Sequence, residues 1–259
     1  MNITDTHTHL YMDIFEKDLD VIIKNSLSQG IVKFFLPSIN KISVKKIIKL
    51  KNKYPNIIYP MIGLHPNYVH PSNIEKELDF IQKFINKYSF ISIGEIGMDF
   101  HLSNKFEYEQ KYVFKTQIKL AQKKELPIVI HCRKAFNQVF DILSKEPFYN
   151  SIKGVFHCFT GNLEEAIKIT NIGMKLGIGG IITFKNNSIV NFLHKIKLDN
   201  ILLETDSPYL SPHPFRGERN TPINIKIVLK KLSQIYMMPE NEIANIIEKN
   251  VKNLFFQKD

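Results

Sequence analysis

Near the amino terminus His7 and His9 stand one residue apart in Asp5-Thr6-His7-Thr8-His9. Alternation along an extended backbone sends both imidazoles to the same side, where two neutral rings can share one divalent cation. Glu95 lies between glycines in Ile93-Gly94-Glu95-Ile96-Gly97-Met98-Asp99, a setting in which backbone and ligand can come close and a carboxylate can bridge two ions. His131 in Ile130-His131-Cys132-Arg133, His157 in Phe156-His157-Cys158-Phe159-Thr160-Gly161 and Asp206 in Leu203-Glu204-Thr205-Asp206-Ser207-Pro208 complete the set. Each alone has an ordinary structural explanation. A lone His on an apolar strand is more often a hydrogen-bonded core residue than a ligand, and a carboxylate after a strand commonly caps a helix or a turn. What the six can do together depends on where the elements carrying them end.

Short β-rich runs fall at 3–5, 31–36, 57–62, 90–95, 127–131, 154–157, 175–178 and 201–204. Between and after them lie amphipathic stretches at 15–28, 44–53, 74–87, 107–124, 136–144, 163–171, 188–195, 223–236 and 240–254. This alternation predicts an α/β fold, a TIM (β/α)8 barrel formed by a single domain over residues 1–259, with a doubly wound open sheet as its competitor. The six residues sit at the C-terminal ends of runs one, four, five, six and eight. In a barrel those ends converge on one rim, where such folds carry their active groups. Independent structural histidines have no reason to share a polarity and a rim, so the constellation reads as a metal site.

The 259 residues are 44% hydrophobic and 23% charged, which excludes global disorder. No window approaches the roughly 18 consecutive apolar residues of a membrane span, and the Met-Asn-Ile-Thr-Asp start lacks the layout of a signal peptide. A cytoplasmic protein without membrane partners is expected. Two cysteines are too few for a disulfide framework. The formal net charge is +10, but Arg133, Arg216 and Arg219 are the only arginines among 35 basic residues. Many of the lysines fall at helical spacing, such as Lys45, Lys49 and Lys53, where a solvated face explains them. The arginines instead flank the proposed rim, and a planar fork that grips a phosphate bidentately points to an anionic substrate.

The segments Asp5-Thr6-His7-Thr8-His9, Gly63-Leu64-His65-Pro66, Gly94 to Asp99, His157 to Gly161 and Glu204 to Leu210 resemble, in order, those of TatD-type metal-dependent hydrolases. The resemblance runs from residue 2 to about residue 254. It implies a TIM barrel, a site for two divalent ions and hydrolase activity, typically deoxyribonuclease of the 3′-to-5′ exonuclease kind. Its substrate partner would then be DNA, as single strands or 3′ ends. On that resemblance His7, His9 and Asp206 hold one ion, His131 and His157 the other, and Glu95 bridges them. Mg²⁺, Mn²⁺ and Zn²⁺ all suit such nitrogen and oxygen ligands.

Phosphodiester hydrolysis requires an activated water and neutralised phosphate charge. Asp206 is expected to orient the water and accept its proton, His65 to contact the phosphate or protonate the leaving oxygen, and Arg133 to hold phosphate charge. Arg219 and Asn220 are further expected substrate contacts, in a segment that departs from the family pattern at Thr221. Tyr68, Phe100, Tyr209 and Phe215 lie in rim loops, where they can stack an unpaired base or simply pack. Cys132 and Cys158 follow ligands directly and by alternation should point away from the metal.

Three rivals separate by experiment. A small cyclic amide or lactone hydrolase on the same site shows metal-dependent turnover without touching DNA. A D-aminoacyl-tRNA deacylase cleaves an acyl-tRNA ester and spares a plain oligonucleotide. A non-enzymatic barrel binds nucleic acid in a salt-dependent way without cleavage, a reading opposed by a ligand set that leaves open metal positions. Nothing in the sequence calls for a protein partner.

Overall fold

The computed structural model describes residues 1–145, 147–148 and 151–256. Strands β1 (Ile3–Asp5), β2 (Ile31–Leu36) and β3 (Ile58–Pro60) form one parallel sheet in that order. Strands β4 (Ile93–Asp99), β5 (Ile128–Arg133), β6 (Gly154–Phe156), β7 (Lys175–Ile178) and β8 (Ile201–Leu203) form a second. Single parallel bridges, Ile62 with Ile93 and Thr8 with Ser207, close both seams between the sheets. Backbone hydrogen bonds reinforce them, from Gly94 N to Ile62 O at 2.9 Å and from His9 N to Ser207 O at 2.7 Å. The ring is therefore a (β/α)8 barrel. An open doubly wound sheet would leave its edge strands unpaired.

Alternation sorts the side chains between two apolar layers. Phe34, Leu36, Ile128, Ile130, Ile201 and Leu203 join the large cluster shared with the surrounding helices. Phe35, Val129, Val155 and Leu202, on the opposite strand face, form a smaller cluster with Met61. Val251, Leu254 and Phe255 of the last helix, α8 (Glu240–Phe255), pack into this inner cluster. The Phe35 and Phe255 rings meet edge to face with centroids 5.0 Å apart. Two residues further along β5, and just past the end of β6, His131 and His157 share the inward face of Val129 and Val155.

The outer helices are α1 (Leu19–Ser28), α2 (Lys41–Lys53), α3 (Ile74–Lys87), α4 (Glu107–Lys124), α5 (Phe136–Leu143), α6 (Leu163–Asn171) and α7 (Ile225–Tyr236). Their buried residues follow helical spacing, for example Val44, Ile47 and Ile48 in α2 and Ile225, Val228, Leu229 and Leu232 in α7. Helix α2 starts three residues before the apolar stripe. The Asn40 side chain accepts from the Ser43 backbone N–H, while the Ser43 hydroxyl accepts from the Asn40 N–H, a reciprocal cap.

The structure corrects three expected elements. Residues 188–195 are not an α-helix but two 3₁₀ turns, Ile189–Asn191 and Leu193–Lys195, among whose buried anchors Ile189 and Phe192 are three residues apart. That spacing suits the tighter turn, which aligns positions i and i+3. Residues 15–18 lie outside α1, behind a 3₁₀ turn at Asp13–Phe15. Strand β4 runs from Ile93 to Asp99 instead of ending at Glu95, with a register shift against β5 between Ile93 and Ile96. Glu95 is thus held within a strand. Gly97, at φ +142°, passes so close to β5 that an added Cβ would stand 1.9 Å from the His131 carbonyl oxygen.

Candidate metal centre

His7, His9, Glu95, His131, His157 and Asp206 converge at the mouth of the barrel, together with His65. Glu95 is the centre of the group. Its Oε2 lies 3.3 Å from His7 Nε2 and 3.8 Å from His9 Nε2. Its Oε1 lies 2.8 Å from His131 Nδ1, 2.6 Å from His157 Nε2 and 3.4 Å from His65 Nε2. Asp206 Oδ1 closes the first side, 3.3 Å from His9 Nε2 and 3.7 Å from His7 Nε2. Asp206 is aimed by the turn after β8, where its own backbone adopts φ +56° and its N–H donates to His7 O at 2.9 Å.

The electrostatics are those of carboxylates wrapped in imidazoles. Burial pushes Glu95 up, but His157, His65 and His7 outweigh it and hold the carboxyl well below its usual range. Burial lowers His157, yet Glu95 and Glu204 hold that ring well above the ordinary imidazole value. For His7 burial prevails, aided by His157, and its proton affinity falls. Asp206 also ends below its usual value, because His9 and His7 overcome its burial.

The donor set fits divalent cations. Fully buried His7 has neither ring nitrogen in a hydrogen bond among the described residues, and Nδ1 of His157 likewise lacks one. Their rings stack in parallel 3.9 Å apart. Ring nitrogens left without hydrogen-bond partners beside carboxylate oxygens are an arrangement that a shared cation satisfies. A second line of groups backs the imidazoles. Tyr11 Oη lies 2.8 Å from His9 Nδ1, Asp99 Oδ2 lies 2.8 Å from His131 Nε2, and Glu204 Oε1 lies 3.7 Å from His157 Nδ1. Sequence reading assigned no role to these three. Glu204 carried a signal, since it is two residues past inward-facing Leu202, and so did Asp99, two residues past Gly97 and four past Glu95.

A cleft of about 760 Å³ opens over the centre, lined among others by His65, Tyr68, Arg133, Thr160 and Tyr209. Arg133 stands exposed at the end of β5, and its guanidinium makes no hydrogen bond or ion pair with the described residues. The other expected substrate contacts lie elsewhere. Arg219 does not line the cleft: it pairs with Asp18 and donates to Ile14 O. Asn220 is buried and fully engaged, donating to Thr205 O and Tyr209 O and accepting from Thr221 N and Asn224 Nδ2. Its chemistry is spent on shaping the loop beside Asp206.

Phe100 packs against the core, and Phe215 lies outside the cleft, leaving Tyr68 and Tyr209 as its aromatic walls. Cys132 and Cys158 both border the cleft, but Cys132 also packs against the core shared with the helices, as alternation expects. Cys158 lies beyond β6 at φ +47°, which breaks the extended pattern. Burial pushes the Cys132 thiol up to about 12 and Cys158 well above its usual value, so both are protonated thiols.

Comparisons with known proteins agree with this architecture. The chain matches the family model described as TatD related DNase over residues 4–256. A curated relative from Bacillus subtilis, the uncharacterized metal-dependent hydrolase YabD, is 34% identical over 252 residues, covering 97% of this chain and 98% of that protein. The crystal structure of YjjV, a TatD homolog from Escherichia coli, has a TM-score of 0.91 at 26% identity, covering 99% of this chain and 98% of that one. A TatD family hydrolase from Entamoeba histolytica has a TM-score of 0.86 at 27% identity, covering 100% of this chain and 99% of that one. With the family model and the Bacillus relative both spanning nearly its whole length, the chain belongs to the TatD family of metal-dependent hydrolases.

Proposed function

We propose that this protein is a deoxyribonuclease that hydrolyses phosphodiester bonds at the 3′ ends of DNA with two divalent ions. The observation that carries the reading is the division of the Glu95 oxygens, one toward His7 and His9 and the other toward His131 and His157. His7, His9 and Asp206 would hold one ion, His131 and His157 the other, and Glu95 both. When bound, such ions depress the pKa of water and neutralise charge on a phosphoryl group.

The protein's own residues supply the rest. Asp206 orients the attacking water and accepts its proton. His65 Nδ1 accepts the Asn67 N–H at 3.0 Å, so the neutral ring carries its hydrogen on Nε2, the nitrogen nearest Glu95. Burial lowers the His65 pKa and keeps that ring neutral, a donor suited to a phosphate or leaving oxygen. Arg133 grips phosphate charge from the cleft wall, and Tyr68 and Tyr209 offer half-exposed rings to unpaired bases.

The test uses metal-stripped protein given Mg²⁺, Mn²⁺ or Zn²⁺ separately, with single-stranded DNA labelled at its 5′ end. The expected result is a ladder shortening one nucleotide at a time, slowed at least about 100-fold in Glu95→Gln purified identically. Intact DNA under every metal, with metal bound, would overturn the nuclease reading and move the assignment to an ester, amide or lactone substrate.

A further inference from the structure

We propose that Asp99 is the positioning residue of this centre: it holds the His131 ring so that Nδ1 faces the shared side and, through Asn67, steadies the turn that carries His65. The inference rests on reading the centre as metal-binding. Asp99 is 4% exposed, and its Oδ2 lies 2.8 Å from His131 Nε2. A carboxylate accepts hydrogen bonds and donates none, so Nε2 carries a hydrogen. That bond turns Nδ1 toward Glu95 Oε1 at 2.8 Å and His157 Nε2 at 3.2 Å, the side on which a cation can be shared; without a cation Nδ1 donates a second ring hydrogen to the Glu95 carboxylate.

The same Oδ2 accepts from Asn67 Nδ2 at 3.3 Å, and Asn67 N donates to His65 Nδ1 at 3.0 Å. His65 Nε2 returns to Glu95 Oε1 at 3.4 Å. Asp99, His131, Glu95, His65 and Asn67 thus form a closed ring of polar contacts. Asp99 is itself held from outside. Its backbone N–H donates to Gln110 Oε1 at 2.9 Å, Gln110 Nε2 donates to its carbonyl at 3.3 Å, and its Oδ1 accepts the His101 N–H at 2.8 Å. Gln110 is buried on α4, so a whole helix braces the carboxylate.

The other two backing groups do not have this power. The Tyr11 hydroxyl can donate or accept and leaves the His9 tautomer open. Glu204 Oε1 accepts the Cys158 N–H at 2.5 Å and stands 3.7 Å from His157 Nδ1, beyond hydrogen-bond reach.

The experiment compares wild type, Asp99→Asn and Asp99→Ala. The His131 Nε2 hydrogen is read by long-range ¹H–¹⁵N NMR on Zn²⁺-loaded protein, Mn²⁺ affinity by calorimetric titration, and folding by circular dichroism. Wild type is expected to show His131 with hydrogen on Nε2. Asp99→Ala is expected to lose the hydrogen-bonded shift of that hydrogen and to bind Mn²⁺ about 10–100-fold more weakly. Asp99→Asn is nearly isosteric and can keep the His101 contact, so it decides the question if the alanine variant does not fold. An unchanged Nε2–H signal together with unchanged Mn²⁺ affinity in a folded variant overturns the proposal. Failure of wild type to take up Mn²⁺, Mg²⁺ or Zn²⁺ would instead sink the metal reading on which the proposal rests.

Discussion

The chemistry of each residue at the barrel mouth is set by what its second polar atom touches. His65 spends Nδ1 on a backbone N–H and keeps a hydrogen on Nε2, which separates it in role from His131 and His157 although all three face the same Glu95 oxygen. His65→Gln is therefore expected to lower kcat on an oligonucleotide by about 100-fold while calorimetric Mn²⁺ affinity stays near that of wild type. Arg133 differs from Arg216 and Arg219, whose guanidinium groups already serve Ser211 O and Asp18. Arg133→Lys keeps the charge but loses the planar fork. It should raise KM, lower kcat/KM about tenfold and leave metal binding unchanged.

Among the elements, the segment after β8 has the most to position. It carries Asp206, Tyr209 and the turn that returns the chain to α7, and Asn220 ties it together from the inside. Asn220→Ala would leave the Thr205 and Tyr209 carbonyls without that donor, costing about 3 kcal/mol in urea unfolding and lowering activity through a displaced Asp206. Arg219→Ala is the control. Its partner Asp18 is half-exposed, so stability should change by no more than about 1 kcal/mol and KM should not move. An increase in KM would place Arg219 back among the substrate contacts.

Across the whole molecule, the first strand and the last helix meet beneath the site. Glu248 on α8 accepts from the Thr4 backbone at 2.6 Å and from its hydroxyl at 2.9 Å, binding the last helix to the first strand. Burial pushes the Glu248 carboxyl above its usual value despite those hydrogen bonds and the nearby Lys33. A carboxylate raised on folding favours the native state only while protonated, so this contribution is present below the unfolded pKa and is lost as pH rises through the folded one. Glu248→Gln can keep both contacts, because the Thr4 hydroxyl can accept from the new amide. The variant should melt higher than wild type above the folded Glu248 pKa, and the difference should vanish below the ordinary glutamate range. A lower melting temperature at neutral pH would show that the charge itself holds the helix.

Much of this protein is determined locally. The period of apolar residues placed the strands and most helices, and the polarity of strand ends gathered His7, His9, His131, His157 and Asp206 on one rim before any contact was known. Side-chain alternation carries that information because it depends only on neighbours in the chain. It failed where the backbone left the regular pattern: at Cys158 and its positive φ, in the 3₁₀ turns of 188–195, and past Glu95, where β4 continues to Asp99. Tertiary structure alone decided that Asn220 and Arg219 are occupied, that Arg133 has no hydrogen-bond or ion-pair partner among the described residues, and that Asp99 rather than Glu204 makes the closer carboxylate contact with a site histidine. Those outcomes turn on which polar atoms meet between residues as much as 205 positions apart in sequence, and no local pattern encodes which polar atom reaches a partner first.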